Sequence, residues 1–542
     1  MGRPPTGLTR GGGWPVLAVV QPALFFLIVS PGCSPDLPRP PAASETLRIA
    51  LRAEPRGLDP ILHTSNLSRI VSAQIYEPLI DFDPQLRPVP RLAVRWERED
   101  GGRAWRFELR PGVRWHGGGE MGPDDVSATL RRVLDPLTPS LDLKPLLAGA
   151  GNPQITLPFG IRIPFDPPAS DSLLPWWSLS ILPGGAGPDP AAADSPPRGS
   201  GPYRFASRRA GEWILLERNP DWWGGEPAIR YLLFRIFPEA LTAVRALELG
   251  EIDIAMLRPA DRGRADLAQA RFRVHTVETP SVYAVLWNLR SPGGMFADAR
   301  VRRALTLALD RPALAGRLRR GAARVAATLY PPLWQRGRET VPPLPFDPGE
   351  ASRLLDEAGW RDGDGDGWRE RDGAVFSFPL LYALEDELRR DTALLLQADL
   401  ARVGVRVRLQ RVEPVALVRR LRQHDFIAAV HAWRLDPEPY GYSLLHSSQA
   451  SGGLNYGGYA DPVLDRLLER EAAAADPEAR AAAGLEIEKR LRQECPMLFV
   501  CFPISLVGVN RRVEGFSLGP LGLLQGTPGP ANWSLTMQEN IQ

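Results

Sequence analysis

Short alternating runs set the pattern of apolar and polar positions along the early chain. Leu47-Arg48-Ile49-Ala50-Leu51 has the two-residue period of a strand. Residues 93–98 and 104–110 repeat it on either side of Asp100-Gly101-Gly102, which predicts a β-hairpin with Trp105, Phe107 and Leu109 on one face. The spacing then becomes helical. Pro123-Asp124-Asp125 opens a helix to about 134, residues 241–249 form an amphipathic helix closed by Gly250, and 299–309 predict a basic helix. Asp347 as N-cap, Pro348 at the first helical position and Glu350 two places on start a helix that Gly359 stops. A helix over 386–403 ends at Gly404 and hands over to a strand at 405–409. Two helices, 461–474 and 477–493, precede a last strand at 497–502. No 20–50-residue repeat recurs, so the pattern is mixed α/β and excludes a solenoid.

Two stretches interrupt this order. Residues 182–200 are rich in Gly and Pro and poor in bulky side chains, as a crossing between lobes would be. The other is the N-terminus. Arg3 and Arg10, an apolar run at 14–29 broken by Pro15 and Pro22, and small residues up to Cys33 make residues 1–32 an export signal, with an apolar run short for a membrane span. Ser30-Pro31-Gly32-Cys33 resembles a bacterial lipobox, although Ser30 stands where Leu is usual. That resemblance implies a lipidated Cys33, and the Pro-rich segment 33–45 suits an extended tether to the membrane.

Composition narrows the function. The 542 residues are 44% hydrophobic and 24% charged, which describes folded domains. The net charge of +2 equals Arg3 and Arg10, because residues 1–32 hold no acid; the rest of the chain is neutral and lacks the basic field of a nucleic-acid binder. Three cysteines exclude a disulfide scaffold and a four-cysteine zinc site. Cys495 and Cys501 flank a predicted strand whose length, about 20 Å, exceeds the reach of a disulfide, so both are expected as buried free thiols.

Three segments imitate catalytic or metal sites. His116-Gly117-Gly118-Gly119 and Gly515-Phe516-Ser517-Leu518-Gly519 suggest an esterase, yet no Asp or His follows Ser517, so a glycine turn and a C-terminal loop are expected. Asp362-Gly363-Asp364-Gly365-Asp366-Gly367 begins like a calcium loop, but its twelfth position is Gly373 where Glu is required; a solvated acidic turn is expected. The six histidines show no His-x-x-x-His spacing, and no phosphate-cradling loop occurs. No enzyme, cofactor or metal centre is expected.

An ordered series of short segments carries a family resemblance. Glu54-Pro55-Arg56-Gly57-Leu58-Asp59-Pro60, Ile75-Tyr76-Glu77-Pro78-Leu79 and Phe107-Glu108-Leu109-Arg110-Pro111-Gly112-Val113 open it. Gly199-Ser200-Gly201-Pro202-Tyr203, Arg218-Asn219-Pro220-Asp221-Trp222-Trp223 and Gly250-Glu251-Ile252-Asp253 continue it. Together they resemble the family 5 extracellular solute-binding proteins, the peptide- and nickel-type receptors of bacterial ABC importers.

The resemblance implies an α/β, bilobal periplasmic-binding-protein fold with hinged lobes and an extra, shortened domain. Lobe I is expected at 46–80, 200–285 and 500–535, the extra lobe at 81–199, and a third lobe at 286–499. Trp96, Trp105 and Trp115 read as core. The cleft is expected around Trp433: in peptide-binding relatives an Asp three places after this Trp pairs with the ligand's α-amino group, and Asp436 occupies that spacing. A carboxylate in a water-poor cleft recognises an ammonium through a charge-assisted hydrogen bond, and Trp433 suits stacking. His431, Trp287, Asn288, Asn455 and Tyr456 are further candidates for the wall. The function implied is a monomeric, membrane-tethered protein that captures peptides and delivers them to an ABC permease with its ATPase subunits. A nickel chelate or oligosaccharide as cargo, or ligand sensing without transport, stays open at this point.

Overall fold

The computed structural model describes residues 41–62, 65–140, 143–167, 169, 172–184, 196–262, 271–291, 294–331, 339–384, 386–435, 441–474, 477–527 and 529–536. The expected export signal at 1–32, Cys33 and Asp436 lie outside the described residues. Among those residues no helix is long and apolar enough to cross a membrane.

One 12-stranded sheet runs through the molecule, and its pairing divides it in two. In the first part, Thr46–Leu51 lies parallel to Tyr231–Ile236 and to Ile254–Leu257, with antiparallel Trp213–Arg218 and Tyr203–Arg209 at one edge. In the second, Ser377–Ala383 is parallel to Arg406–Val412 and to Ala428–Arg434, which runs antiparallel to Ser281–Trp287. The strand Met497–Asn510 belongs to both parts. Its first half pairs with Ser281–Trp287 and Ala323–Val325, and its second half pairs with Ile254–Leu257 and Phe272–Glu278.

The last strand is therefore much longer than the predicted 497–502. Pro503 ends the alternating pattern in the sequence because proline cannot donate to a ladder. In the fold Pro503 sits where the strand exchanges one set of partners for the other, and its carbonyl accepts both Thr279 N and Thr279 Oγ1. The chain passes between the two parts at 279–280 and at 503–504. Ser281–Trp287, which the sequence reading assigned mostly to lobe I, pairs along its whole length with the third lobe's Ala428–Arg434.

The predicted hairpin forms. Ala93–Glu99 and Ala104–Leu109 pair and continue through Gly160–Pro164 to Gln154–Leu157 as a separate four-stranded sheet, with the helix Pro123–Leu134 following the hairpin. Trp105, Phe107 and Leu109 share one face and are buried. This extra lobe shares a continuous core with lobe I, reaching from Leu47 and Ile49 through Phe107 to Trp176. Glu77 knits the two polar sides: it pairs with Arg91 at 2.8 Å and accepts the indole N–H groups of Trp222 and Trp223. In the third lobe, apolar cores cover both sheet faces. Ala299–Leu307, Pro348–Glu357 and Glu387–Arg402 lie on one face, and Pro414–Arg422, Pro462–Ala473 and Pro477–Glu494 belong to the other. Cys495 and Cys501 are buried free thiols, as their spacing required.

Candidate functional site

Strand direction locates the cleft. Thr46–Leu51, Tyr231–Ile236 and Ile254–Leu257 all run toward the crossing at 279–280 and 503–504, since Leu257 pairs with Leu506. On the other side, Ser377–Ala383, Arg406–Val412 and Ala428–Arg434 end at the same crossing, because Arg434 lies opposite Ser281. Both lobes thus turn the carboxyl edges of their parallel strands toward each other. In open α/β sheets ligands bind outside that edge, where loops and helix N-termini gather. At that edge lie the stretch after Leu51 that holds Glu54–Pro60, the turn Pro259–Asp261, the N-terminus of Glu387–Arg402, and Leu435.

The third lobe's wall has two faces. On one, His431 and Trp433 project from alternate positions of Ala428–Arg434, with ring centroids 5.0 Å apart, and the Tyr456 ring lies 5.7 Å from His431 and stacks parallel to Trp433 at 6.5 Å. All three are nine-tenths buried or more. The indole N–H of Trp433 and Nδ1 of His431 have no hydrogen-bond partner among the described residues. Burial, followed by the charge of Arg389, pushes the His431 imidazole down to about 3, so the ring is neutral at ordinary pH. On the other face, Tyr283 donates to Asp386 Oδ2 at 2.9 Å, and Arg389 approaches the same carboxylate at 3.5 Å while lying 5.9 Å from the Tyr283 ring. Asp386 is pinned by its second role as N-cap, accepting Leu388 N and Arg389 N.

The structure brings Trp433, His431 and Tyr456 together and leaves three other candidates elsewhere. Trp287 ends its strand opposite Ala428, at the edge away from the cleft and about 20 Å from Ser281. It is 0% exposed and packs on Phe296 and Phe378. Asn288 donates to the carbonyls of His424 and Phe426 and accepts Arg290 N, which closes a loop at that far edge. Asn455 donates to three carbonyls, of Leu445, His446 and Tyr459, and accepts Tyr459 N. These are packing and loop-closing roles. An aromatic residue at a strand's end reads alike in sequence whichever edge that end occupies.

Sequence reasoning missed the residues that face the third lobe from across the cleft. Arg434, the exposed end of the cleft strand, reaches Gln525 and Asn66 of lobe I. Beside them lies a cavity of about 80 Å³ with a mixed polar and apolar lining that includes Arg69, Gln74, Asp81, Arg91, Trp177 and Gln525. A charged residue closing an apolar strand was the one available signal for Arg434.

The imitation motifs resolve into structure. His116 Nδ1 accepts Gly199 N and its Nε2 donates to the Gly201 carbonyl at 2.9 Å, while Gly118 and Gly119 take the positive φ of a tight turn. Burial pushes the His116 imidazole down to about 4. Ser517 lies in an irregular loop. In the acidic turn Asp362 accepts Gly365 N and Gly367 N, and Glu370 accepts Gly363 N. Arg369 N ties this turn to Gly404, about 24 Å along the helix Glu387–Arg402 from the end that faces the cleft.

Comparison with known proteins bears on the family and the fold. Residues 87–453 match the profile of the bacterial extracellular solute-binding proteins, family 5 Middle. The chain is 28% identical over 479 residues to the oligopeptide-binding protein AppA of Bacillus subtilis (strain 168), covering 86% of this chain and 88% of that one. It is 31% identical over 459 residues to protein XP55 of Streptomyces lividans, covering 83% and 82%. The structure of Bacillus subtilis AppA in complex with a nonapeptide superimposes with a TM-score of 0.73 at 27% identity, over 91% of this chain and 99% of that chain.

Proposed function

The chain belongs to the family 5 bacterial extracellular solute-binding proteins, and we propose that it captures peptides between its lobes and delivers them to the permease of an ABC importer. The observation that carries this reading is the meeting of two carboxyl strand edges across a cleft spanned by two chain segments, with Trp433 near the cleft-facing end of its strand and Asp436 three positions later in the sequence. Two connecting segments let the lobes swing, and a ligand that binds the closed arrangement better selects it. An extended peptide would be held largely through its main chain, with its α-amino group on Asp436 and its flank on the Trp433 side of the wall. The nonapeptide bound by AppA supports this choice of cargo.

Lobe I and the third lobe divide at 279–280 and 503–504, and residues 81–199 are the extra lobe. Hydrolysis of ATP belongs to the transporter's partner subunits, and this chain performs no catalysis. Residues 1–32 direct export, and a lipid on Cys33 with the tether 33–45 holds the protein at the membrane outside the cytoplasm as a monomer. A thermal-shift screen of di- to nonapeptides beside nickel–histidine and oligosaccharides tests the cargo. A dose-dependent rise of the midpoint with peptides is expected; silence with peptides and a rise with a sugar or metal complex overturns it.

A further inference from the structure

Arg434 ends the strand Ala428–Arg434 one residue after Trp433, at the sheet edge that faces lobe I. Its guanidinium reaches beyond its own lobe. Nη2 donates to the Leu521 carbonyl and, at 3.4 Å, to Gln525 Oε1, while Nη1 donates to Asn66 Oδ1 at 3.3 Å. Gln525 Nε2 donates to the same Asn66 oxygen at 3.0 Å, which joins the helix Asn66–Ser72 to the C-terminal segment. The guanidinium carbon also lies 6.0 Å from the ring centroid of Trp177, whose indole N–H is held by Asp81 at 3.2 Å. The donor therefore comes from the third lobe, the acceptors from two segments of lobe I, and the ring from the extra lobe.

Arginine suits such a junction. Its planar fork presents several donors in a fixed geometry and stacks on aromatic rings, whereas a lysine offers a single ammonium. The acceptors named here, the Leu521 carbonyl, Gln525 Oε1 and Asn66 Oδ1, are neutral groups. Gln525 is buried and Trp177 is tied to Asp81, so the receiving surface is built by lobe I and the extra lobe themselves.

We propose that Arg434 is an interlobe latch: a positioning residue that holds the third lobe against lobe I and links the ligand contacts of its neighbours Trp433 and Asp436 to closure. The latch concerns the lobes' own equilibrium. It goes beyond the peptide reading and needs no ligand to be tested.

The experiment uses the full chain carrying Cys33→Ser, Leu241→Cys and Leu394→Cys, spin-labelled at the two new thiols. Both positions are exposed, one on a lobe I helix and one on a third-lobe helix, whereas Cys495 and Cys501 are buried. Double electron–electron resonance without ligand then reads the interlobe distance. Arg434→Ala is expected to shift the distribution to longer distances and at least double its long-distance fraction, with Arg434→Lys in between. Asn66→Ala with Gln525→Ala should give the same shift, and adding Arg434→Ala to that pair should change nothing more, because both remove one contact. An unchanged distribution in Arg434→Ala, or a fully additive shift in the triple variant, overturns the latch and leaves the peptide reading standing. Should Arg434→Ala not fold, the Asn66/Gln525 pair decides the matter alone.

Discussion

Arg512 and Asp253 form a buried bidentate ion pair, Nε to Oδ1 at 2.7 Å and Nη2 to Oδ2 at 2.6 Å. The carboxylate also accepts Arg48 N, Nε and Nη2, and Arg512 donates onward to the carbonyls of Ala43 and Thr46. One acid thereby clamps the first strand of lobe I to the C-terminal segment. Burial pushes the Asp253 carboxyl up, but the bonds from Arg512 and Arg48 outweigh it and hold it below the usual carboxylate range. Replacing Arg512 with Ala leaves a buried charge short of its partner, so a loss of about 3–5 kcal/mol is expected in denaturant unfolding. A loss under 1 kcal/mol would show that Arg48 alone satisfies the acid.

Glu471 predicts a pH dependence. It is buried, accepts Tyr330 Oη–H at 2.7 Å and Gly441 N at 3.3 Å, and has Glu488 and Arg480 as charged neighbours. Burial dominates and pushes the carboxyl from 4.5 up to about 7. Because the folded value lies above the unfolded one, this group's contribution is fully present below pH 4.5 and is lost as pH rises through 7. The loss amounts to roughly 3 kcal/mol. Glu471→Gln keeps an acceptor for Tyr330 but cannot ionise, so its stability difference between pH 5 and pH 8 should shrink by about that amount. Equal pH profiles for variant and parent would refute the assignment.

Asp436 is expected to bind the ligand's α-amino group. A charge-assisted hydrogen bond of about 1.5–3 kcal/mol corresponds to roughly 10- to 150-fold in affinity. Asp436→Asn should therefore weaken a free-amine peptide by that factor and leave its N-acetylated form little changed. Calorimetry on both peptides tests it, and equal losses for the two would move the amine site elsewhere.

Trp287 should behave as core. Trp287→Ala is predicted to cost about 3–5 kcal/mol of stability, while ligand affinity of the folded protein stays within twofold. A selective loss of affinity at unchanged stability would return Trp287 to the cleft wall.

Cys33 carries the anchoring prediction. Mass spectrometry of protein from the membrane fraction should find a diacyl modification on Cys33, and Cys33→Ser should release the protein into the soluble exported fraction. Continued membrane association of that variant, with an intact segment 1–32, would point to an uncleaved anchor instead.

Much of the architecture was legible because it is local. The hairpin around Asp100-Gly101-Gly102, the helix capped by Asp347 and Pro348, and the helix stopped by Gly404 were all readable from turn chemistry and capping, which act over a few residues. The family segments were legible too, and several have packing roles in the fold. Glu77 gathers Arg91 and two tryptophans, His116 braces Gly199 and Gly201, and Asp253 clamps two termini of a lobe.

The site was harder to read. Trp287 and Trp433 both end or nearly end an apolar strand, yet one strand runs away from the cleft and the other toward it. Periodicity reports which face of a strand is apolar and is silent about which end meets a partner. Pro503 misled for the opposite reason: a residue that stops a strand in isolation is tolerated where the ladder changes partners.

The order of apolar and polar residues determined the strands, helices and turns, since each depends on neighbours a few positions away. The direction of each strand, the edge at which the lobes face each other, and the meeting of Arg434 with Asn66 and Gln525 were decided only by tertiary structure. Those contacts join residues hundreds of positions apart, and hydrogen bonds between lobes carry no periodic trace in the chain.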